Sequence, residues 1–177
     1  MANLVPPHGG KLLPRLVSSN EREESLSEAR ALPRVRLSSR EASDLIMLAM
    51  GAFSPLEGFM GREDYQRVVA QMRLKNGLLW PIPVTFSAPE EETKKIKEGQ
   101  KIALLGPDDD EIMASMLVEE KYTYDKNREA IQVFRTDDAE HPGVRSVQEQ
   151  GEVYLGGPIK AFSEGDYPQR FTEFARP

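Results

Sequence analysis

The two histidines of this chain, His8 and His141, carry the side chain that most often serves as a general acid, a general base or a metal ligand. A catalytic base or a metal site would need carboxylate or imidazole partners at ligand spacing, and neither histidine has them. Each histidine lies beside proline or glycine, which is typical of turns. We therefore expect both imidazoles to hydrogen-bond backbone groups in loops.

Signatures of phosphate binding and of nucleophilic catalysis are absent from the sequence. It contains neither a P-loop nor a dinucleotide-binding glycine motif, and no serine-nucleophile motif. The run Gly9-Gly10-Lys11 could form a weak anion nest, because it places flexible amides beside one cation. Glycine turns are far more common, so we expect a turn there.

Two acidic runs suggest cation binding at first sight. Asp108 to Glu111 are consecutive acids, whereas calcium loops use alternate positions so that the side chains converge. We therefore predict a solvated turn. The acids of 90–92 precede Lys94 and Lys95, a charge pattern typical of the first turns of a helix. We expect no metal site and no catalytic residue in this chain.

Composition limits the remaining classes of protein. A chain of 177 residues corresponds to about one domain, and its net charge of −6 argues against a surface that gathers nucleic acid. No apolar run is long enough for a membrane span, and the amino terminus shows no signal peptide. The absence of cysteine fits a reducing compartment, so we expect a cytoplasmic protein with no nucleic-acid or membrane partner.

Capping and breaker residues predict five helices. Asn20 can cap the first, and Ser38 with Glu41 has the spacing of a capping box before a run that ends at Gly51. The loop 53–61 is apolar enough to fold back onto the core. The predicted helices cover residues 20–31, 38–50, 62–72, 89–98 and 144–150.

Short runs of apolar residues between turn signals predict the strands. These cover residues 35–37, 78–87, 101–105, 111–124, 129–136 and 153–162, the last interrupted at Gly156-Gly157-Pro158. Such a series predicts an α+β fold in which antiparallel strands close a small barrel decorated with short helices. We divide the chain into an irregular arm (1–19), one domain (20–170) and the start of a linker (171–177).

The run GAFSPLEGFM at residues 51–60 resembles the amino-terminal domain of ATP sulfurylases (sulfate adenylyltransferases). Further pieces occur in the order that the family has, and together they span nearly the whole chain. These pieces are Pro7–Gly10, Asp64-Tyr65, Met72–Leu74, Asn76-Gly77, Trp80–Val84, Lys101–Leu104, Tyr124–Lys126, Thr136–Asp138, His141–Val144 and Gly156-Gly157.

The resemblance implies a PUA-like barrel and a role in sulfur metabolism. The enzymes of this family join sulfate to the α-phosphate of MgATP, giving adenosine 5′-phosphosulfate and pyrophosphate. Their chemistry lies in a following domain, in glutamine-arginine, paired-histidine and glycine-rich motifs that this sequence does not contain. We therefore expect an inactive structural domain that binds no cofactor itself, whether as a piece of a longer enzyme or as a short paralogue.

If the domain docks on a catalytic domain, three loops are candidates for the contact: residues 7–10, 53–60 and 141–144. Phe171 and Phe174 suggest that the chain rests on something further along. The full enzyme could also be a homo-oligomer. Packing within the domain is the simpler explanation for each loop. The docking candidates are His8, Gly9, Gly10, Phe53, Phe59, His141 and Gly143.

Two other functions stay open. An independent RNA-binding module would use the PUA-like barrel, but the acidic net charge provides no basic face on average. A standalone enzyme with an unrelated pocket would be stabilised by its nucleotide, since a ligand that binds only the native state must stabilise it.

Overall fold

The computed structural model describes residues 5–164, which form six helices and seven strands. The helices are α1 (Ser19–Ala29), α2 (Ser39–Met50), α3 (Arg62–Gln71), α4 (Glu90–Thr93), α5 (Lys126–Phe134) and α6 (Pro142–Glu149). The strands are β1 (Arg34–Arg36), β2 (Gly58–Phe59), β3 (Phe86–Ala88), β4 (Lys101–Leu105), β5 (Ile112–Leu117), β6 (Glu120–Thr123) and β7 (Val153–Ala161). The predicted α+β class is confirmed.

The chain forms two compact units. Of the described residues, the first unit comprises 5–58, 101–117 and 158–164, and the second comprises 59–100 and 118–157. The predicted linker and its two phenylalanines lie outside the described residues.

In the first unit, strand pairing is both parallel and antiparallel. β1 runs parallel to β4, β4 pairs antiparallel with β5, and β5 pairs antiparallel with the second half of β7. Part of the core forms where Ala29 of α1 meets Ala103, Leu105 and Phe162. Antiparallel pairing was expected throughout, so the parallel β1 is a departure from the prediction.

Local sequence signals fix both ends of α2 in the first unit. The Ser38 side chain accepts a hydrogen bond from the Glu41 amide at 3.3 Å, and the Glu41 carboxylate accepts one from the Ser38 amide at 2.9 Å. Gly51 ends the helix with φ 84°, a left-handed conformation that glycine adopts without strain. The predicted capping box and helix stop are therefore confirmed.

In the second unit, the first half of β7 pairs antiparallel with β3 on one side and with β6 on the other. Gly156 lies where this strand approaches other backbone closely, because an added Cβ would come within 2.6 Å of the Met60 carbonyl oxygen. The glycine pair was predicted to interrupt the strand. Instead β7 continues through it, and the glycine is needed for close approach.

One predicted strand is wrong. Residues 129–136 lie mostly in the helix α5, because the Asp125 side chain accepts a hydrogen bond from the Arg128 amide at 3.0 Å and caps a helix there. In the sequence, apolar and polar residues appear to alternate over this segment, and such an alternation predicts a strand. The buried residues Glu129 and Ala130 instead belong to one helical face.

Several boundaries also differ from the predictions. The segment 78–87 is largely irregular and only Phe86–Ala88 forms a strand, because Pro81 and Pro83 have no amide donor for a ladder. The predicted strand 111–124 is two strands, and the helix 89–98 is regular only over α4. Ser18, not Asn20, occupies the amino-terminal cap of α1.

Candidate functional site

The arm before α1 contributes a tight turn to the first unit. The Gly10 amide donates to the Pro7 carbonyl at 2.8 Å, and Gly9 and Gly10 have φ values of 77° and 86°. Both angles lie in the left-handed region that favours glycine. The predicted turn is therefore confirmed, and it places His8 on the exposed surface.

The end of α2 holds the arm in place. The Ser54 hydroxyl donates to the Gly51 carbonyl at 2.6 Å and accepts from the Leu13 amide at 2.8 Å, and it is buried. The Arg15 amide adds a bond of 3.0 Å to the Ala49 carbonyl. These bonds fix residues 13–15 of the arm to the first unit.

Between the arm and the end of α2 lies a groove of about 440 Å³, here called the arm groove. Leu12 is 40% exposed and Val5 is 90% exposed, so large apolar groups meet solvent there. Such apolar surface at a concave site favours contact with a partner over acid–base chemistry. The groove is lined by Val5, Pro6, Pro7, His8, Leu12, Gly51, Ala52 and Ser54.

The two phenylalanines of the apolar loop have different environments. Phe53 is half-buried in the turn that follows Gly51 in the first unit. Phe59 is buried in the second unit, where its ring centroid lies 5.4 Å from that of Phe86. The prediction that this loop folds onto the core fits Phe59, and a buried ring has no face left to present to another domain.

The candidates at the start of α6 belong to the second unit. His141 caps this helix, with Nδ1 accepting from the Gly143 amide at 3.2 Å, which confirms the prediction that this imidazole bonds to backbone. An added Cβ on Gly143 would lie 2.5 Å from Cε1 of Phe134, so any larger residue would require the Phe134 ring to shift. Both residues therefore have local structural roles, and their docking role remains a prediction.

A buried cluster of tyrosines around one carboxylate, here called the tyrosine cluster, occupies the interior of the second unit. Oε2 of Glu129 accepts hydrogen bonds from the hydroxyls of Tyr65 and Tyr154, each at 2.9 Å, and Glu129 is only 4% exposed. The Tyr122 hydroxyl donates to the Met60 carbonyl at 2.7 Å. The ring of Tyr124 stacks on that of Tyr154 at 3.6 Å.

The electrostatics of the tyrosine cluster follow from burial. Burial first, and then the Glu129 charge, raise the pKa values of Tyr65 and Tyr154 well above the usual value for a phenol. The hydroxyls therefore stay protonated and donate to the carboxylate. We conclude that the cluster stabilises the second unit.

Sequence reasoning missed this cluster because Glu129 was assigned to a strand. The signal was present, since Asp125 stands three residues before Arg128 at the start of an amphipathic stretch. Once α5 is read as a helix, Glu129 and Ala130 share its buried face.

The described residues place limits on other sites. Residues 5–164 contain no group of three or more side chains that could hold a metal ion together. In the same range, no helix is both long enough and apolar enough to cross a membrane.

Comparisons with known proteins give a consistent result. Residues 5–164 match the family described as a PUA-like domain. The chain is 48% identical over 171 residues to the sulfate adenylyltransferase of Desulforamulus reducens, covering 97% of this chain and 44% of that relative. It is 52% identical over 159 residues to that of Symbiobacterium thermophilum, covering 90% and 40%.

A solved structure shares the fold. The hexameric APS kinase from Thiobacillus denitrificans superimposes with a TM-score of 0.71 at 24% identity, over 96% of this chain and 29% of that one. In every one of these pairs, the chain spans less than half the length of the protein that it matches.

Proposed function

Because this chain belongs to the PUA-like domain family, we propose that it serves as the noncatalytic amino-terminal domain of a sulfate adenylyltransferase. In that role it supports and docks a separate catalytic domain, which joins sulfate to ATP. One observation carries the proposal: the similarity to sulfate adenylyltransferases covers nearly all of this chain but only about two fifths of theirs.

The chemistry of the proposed reaction supports this division of labour. Sulfate and ATP are both anions, so an enzyme that joins them needs cationic and imidazole groups held in place around the reacting atoms. The sequence contains none of the motifs that the resemblance assigns to that task. In this proposal MgATP is used by the full enzyme, and this chain provides structural support.

The arm groove is the proposed docking surface. Its apolar rim at Val5 and Leu12 is exposed, and the turn of His8, Gly9 and Gly10 stands beside it. Phe53 is half-buried and comes directly after the groove residue Ala52 in the chain. His141 and Gly143 stay candidates for a second contact, and Phe59 supports its own unit.

The predicted domain boundaries form part of the same proposal. The arm of residues 1–19 would belong to the docking surface, and residues 20–170 would form the PUA-like domain. Residues 171–177, which lie outside the described residues, would begin the linker to the catalytic domain. A homo-oligomer of the full enzyme is compatible with this arrangement.

An activity measurement tests the noncatalytic role. The purified chain is incubated with ATP, Mg²⁺ and sulfate, and pyrophosphate release is followed with and without sulfate. We expect no sulfate-dependent release, whereas the full-length relative from Desulforamulus reducens serves as the positive control. Turnover by this chain alone would contradict the proposal.

A chimera tests the docking role. The matched region of the Desulforamulus reducens relative is replaced by this chain, and we expect the chimera to retain sulfate-dependent pyrophosphate release. Leu12→Glu places a charge in the arm groove and should lower that activity about tenfold, since a buried unpaired charge disrupts an interface. The matched control is Ile82→Glu, at an apolar residue of the second unit that is 55% exposed. Equal effects of the two substitutions would contradict docking through the arm groove.

A further inference from the structure

A second cavity of the first unit is lined by arginines. Arg22 and Arg30 lie eight residues apart on one face of α1 and its carboxyl-terminal cap, and Arg34 begins β1. Asp110 and Glu111 complete the rim of this cavity, here called the arginine cleft. Its volume of about 380 Å³ falls within the range of small-molecule sites.

The three arginines of the arginine cleft form no salt bridge with an acid in the part of the chain that the structure describes. Within residues 5–164, no carboxylate oxygen lies within 4.0 Å of the guanidinium nitrogens of Arg22, Arg30 or Arg34. Arg22 uses Nε to donate to the Phe162 carbonyl at 2.7 Å. Arg34 reaches the Arg30 carbonyl at 3.5 Å. Most of their donor groups are therefore available to a ligand.

The acids at the rim do not neutralise this charge. Asp110 is paired with Arg36, whose Nη2 lies 2.6 Å from its Oδ1, and Nη1 of Arg36 also donates to the Gly106 carbonyl at 2.8 Å. Among the described residues that line the cleft, the carboxylate of Glu111 is then the one acid left against three guanidinium groups. The cleft is therefore locally positive in a chain whose net charge is −6.

Helix electrostatics explain part of this arrangement but not all of it. Arg30 caps the carboxyl end of α1, where the helix dipole favours a cation, whereas Arg34 lies beyond the helix in β1. Arg22 lies in the first turn, where the dipole disfavours one. An anion bound beside Arg22 and the two other arginines would offset this unfavourable interaction.

We propose that the arginine cleft binds a phosphate-type oxyanion, either free or carried by a nucleotide. The planar guanidinium group presents paired N–H donors that match phosphate oxygens, and several such groups together can neutralise a multiply charged anion. The cleft does not have to be enclosed to bind such an anion, since the exposed guanidinium groups can make these contacts at the surface. This site is separate from the proposed docking role and does not depend on it.

The test uses inorganic pyrophosphate as the first probe and ATP without magnesium as the second. Each is titrated into the ¹⁵N-labelled chain at constant ionic strength, and amide shifts and the Kd are recorded. We expect shifts confined to α1, β1 and the start of β5. The double variant Arg30→Gln/Arg34→Gln should raise the Kd about fivefold or more, because two charge-assisted contacts are lost. A lower Kd for ATP than for pyrophosphate would identify a nucleotide as the source of the oxyanion.

A matched double variant controls for net charge. Arg67→Gln/Arg128→Gln removes the same charge from exposed helical positions of the second unit and should leave the Kd unchanged. Urea unfolding of all proteins confirms that the cleft variant is folded. Shifts that spread over other surfaces, an equal loss in both double variants, or no binding of either probe would overturn the proposal.

Discussion

The arm groove of the first unit exposes apolar groups to solvent, whereas the tyrosine cluster of the second unit buries polar groups. In the groove, apolar groups such as Leu12 are exposed to solvent and are held there by backbone bonds of the arm. In the cluster, polar groups are buried, and the Glu129 carboxylate accepts hydrogen bonds from two tyrosine hydroxyls. The first arrangement leaves surface for a partner, and the second satisfies its polar groups internally.

This difference separates residues that stabilise the chain from residues that are available to a partner. A buried carboxylate without hydrogen-bond donors destabilises the folded state, so the hydrogen bonds that Glu129 accepts are needed for stability. Leu12, which is 40% exposed, contributes less to folding than a fully buried leucine, since part of it stays in contact with water. Substitutions in the two regions should therefore affect different measurements.

The largest expected effect is that of Glu129→Ala. Removing the carboxylate leaves the Tyr65 hydroxyl buried without its acceptor and makes Tyr154 depend on Gln150 Oε1 at 2.9 Å, so the free energy of unfolding should fall by about 3 kcal/mol. Urea denaturation followed by circular dichroism measures this change. The control Glu149→Ala lies on the exposed side of α6 and should cost less than about 0.5 kcal/mol. Similar losses in the two variants would show that the buried carboxylate contributes no more to stability than an exposed one.

High pH should weaken the tyrosine cluster next. The folded state raises the pKa of Tyr154 above the usual value near 10, so both states are protonated below pH 10 and stability is complete there. Above pH 10 the unfolded state loses its proton first, and stability should fall by about 1.4 kcal/mol per pH unit for each such tyrosine. Urea denaturation between pH 9 and 11.5 measures this slope.

The variant Tyr154→Phe sharpens this test. Phenylalanine cannot ionise, so the slope above pH 10 should be smaller than in the wild type by the share of one tyrosine. A slope equal to that of the wild type would show that Tyr154 does not hold its proton more tightly in the folded state.

A smaller effect is expected at the wall of the arm groove. Ser54→Ala removes a buried hydroxyl that bonds to both Gly51 and Leu13, so it should cost about 1.5 kcal/mol of unfolding free energy. Hydrogen exchange at the Leu13 amide should also accelerate, because that amide loses its acceptor. The control is Ser43→Ala, an exposed residue of α2 whose loss should be within about 0.5 kcal/mol.

The smallest effect on stability is expected at the exposed rim of the arm groove. Leu12→Glu should cost about 1 kcal/mol of unfolding free energy or less, because the residue is already 40% exposed. Thermal denaturation of this variant beside Ile82→Glu measures the difference. A loss of 2 kcal/mol at Leu12 would show that the groove belongs to the core and is not available to a partner.

The resemblance to sulfate adenylyltransferases, read from the run 51–60 and the ordered pieces around it, is confirmed by the relatives that share about half of their residues with this chain. The PUA-like fold is confirmed as well. These predictions succeeded because they rested on many short pieces spread along the chain.

Local signals predicted the ends of elements well where one residue controls the backbone. Ser38 with Glu41 began α2 and Gly51 ended it, because capping and positive φ depend on neighbours in sequence. The prediction failed at residues 129–136, where an alternating pattern was read as a strand although Asp125 caps a helix. An apolar pattern over eight residues fits both periods, so the cap had to decide.

The sequence by itself determined the family, the α+β class, the capped ends of α2 and the turn at Gly9-Gly10, because each depends on short-range geometry or on residue types in order. Only the tertiary structure decided that Phe59 is buried, that Glu129 receives two tyrosine hydroxyls, and that three arginines share one cleft. Each of these contacts joins residues that are far apart in the chain, so it depends on how the whole backbone folds and not on neighbouring residues.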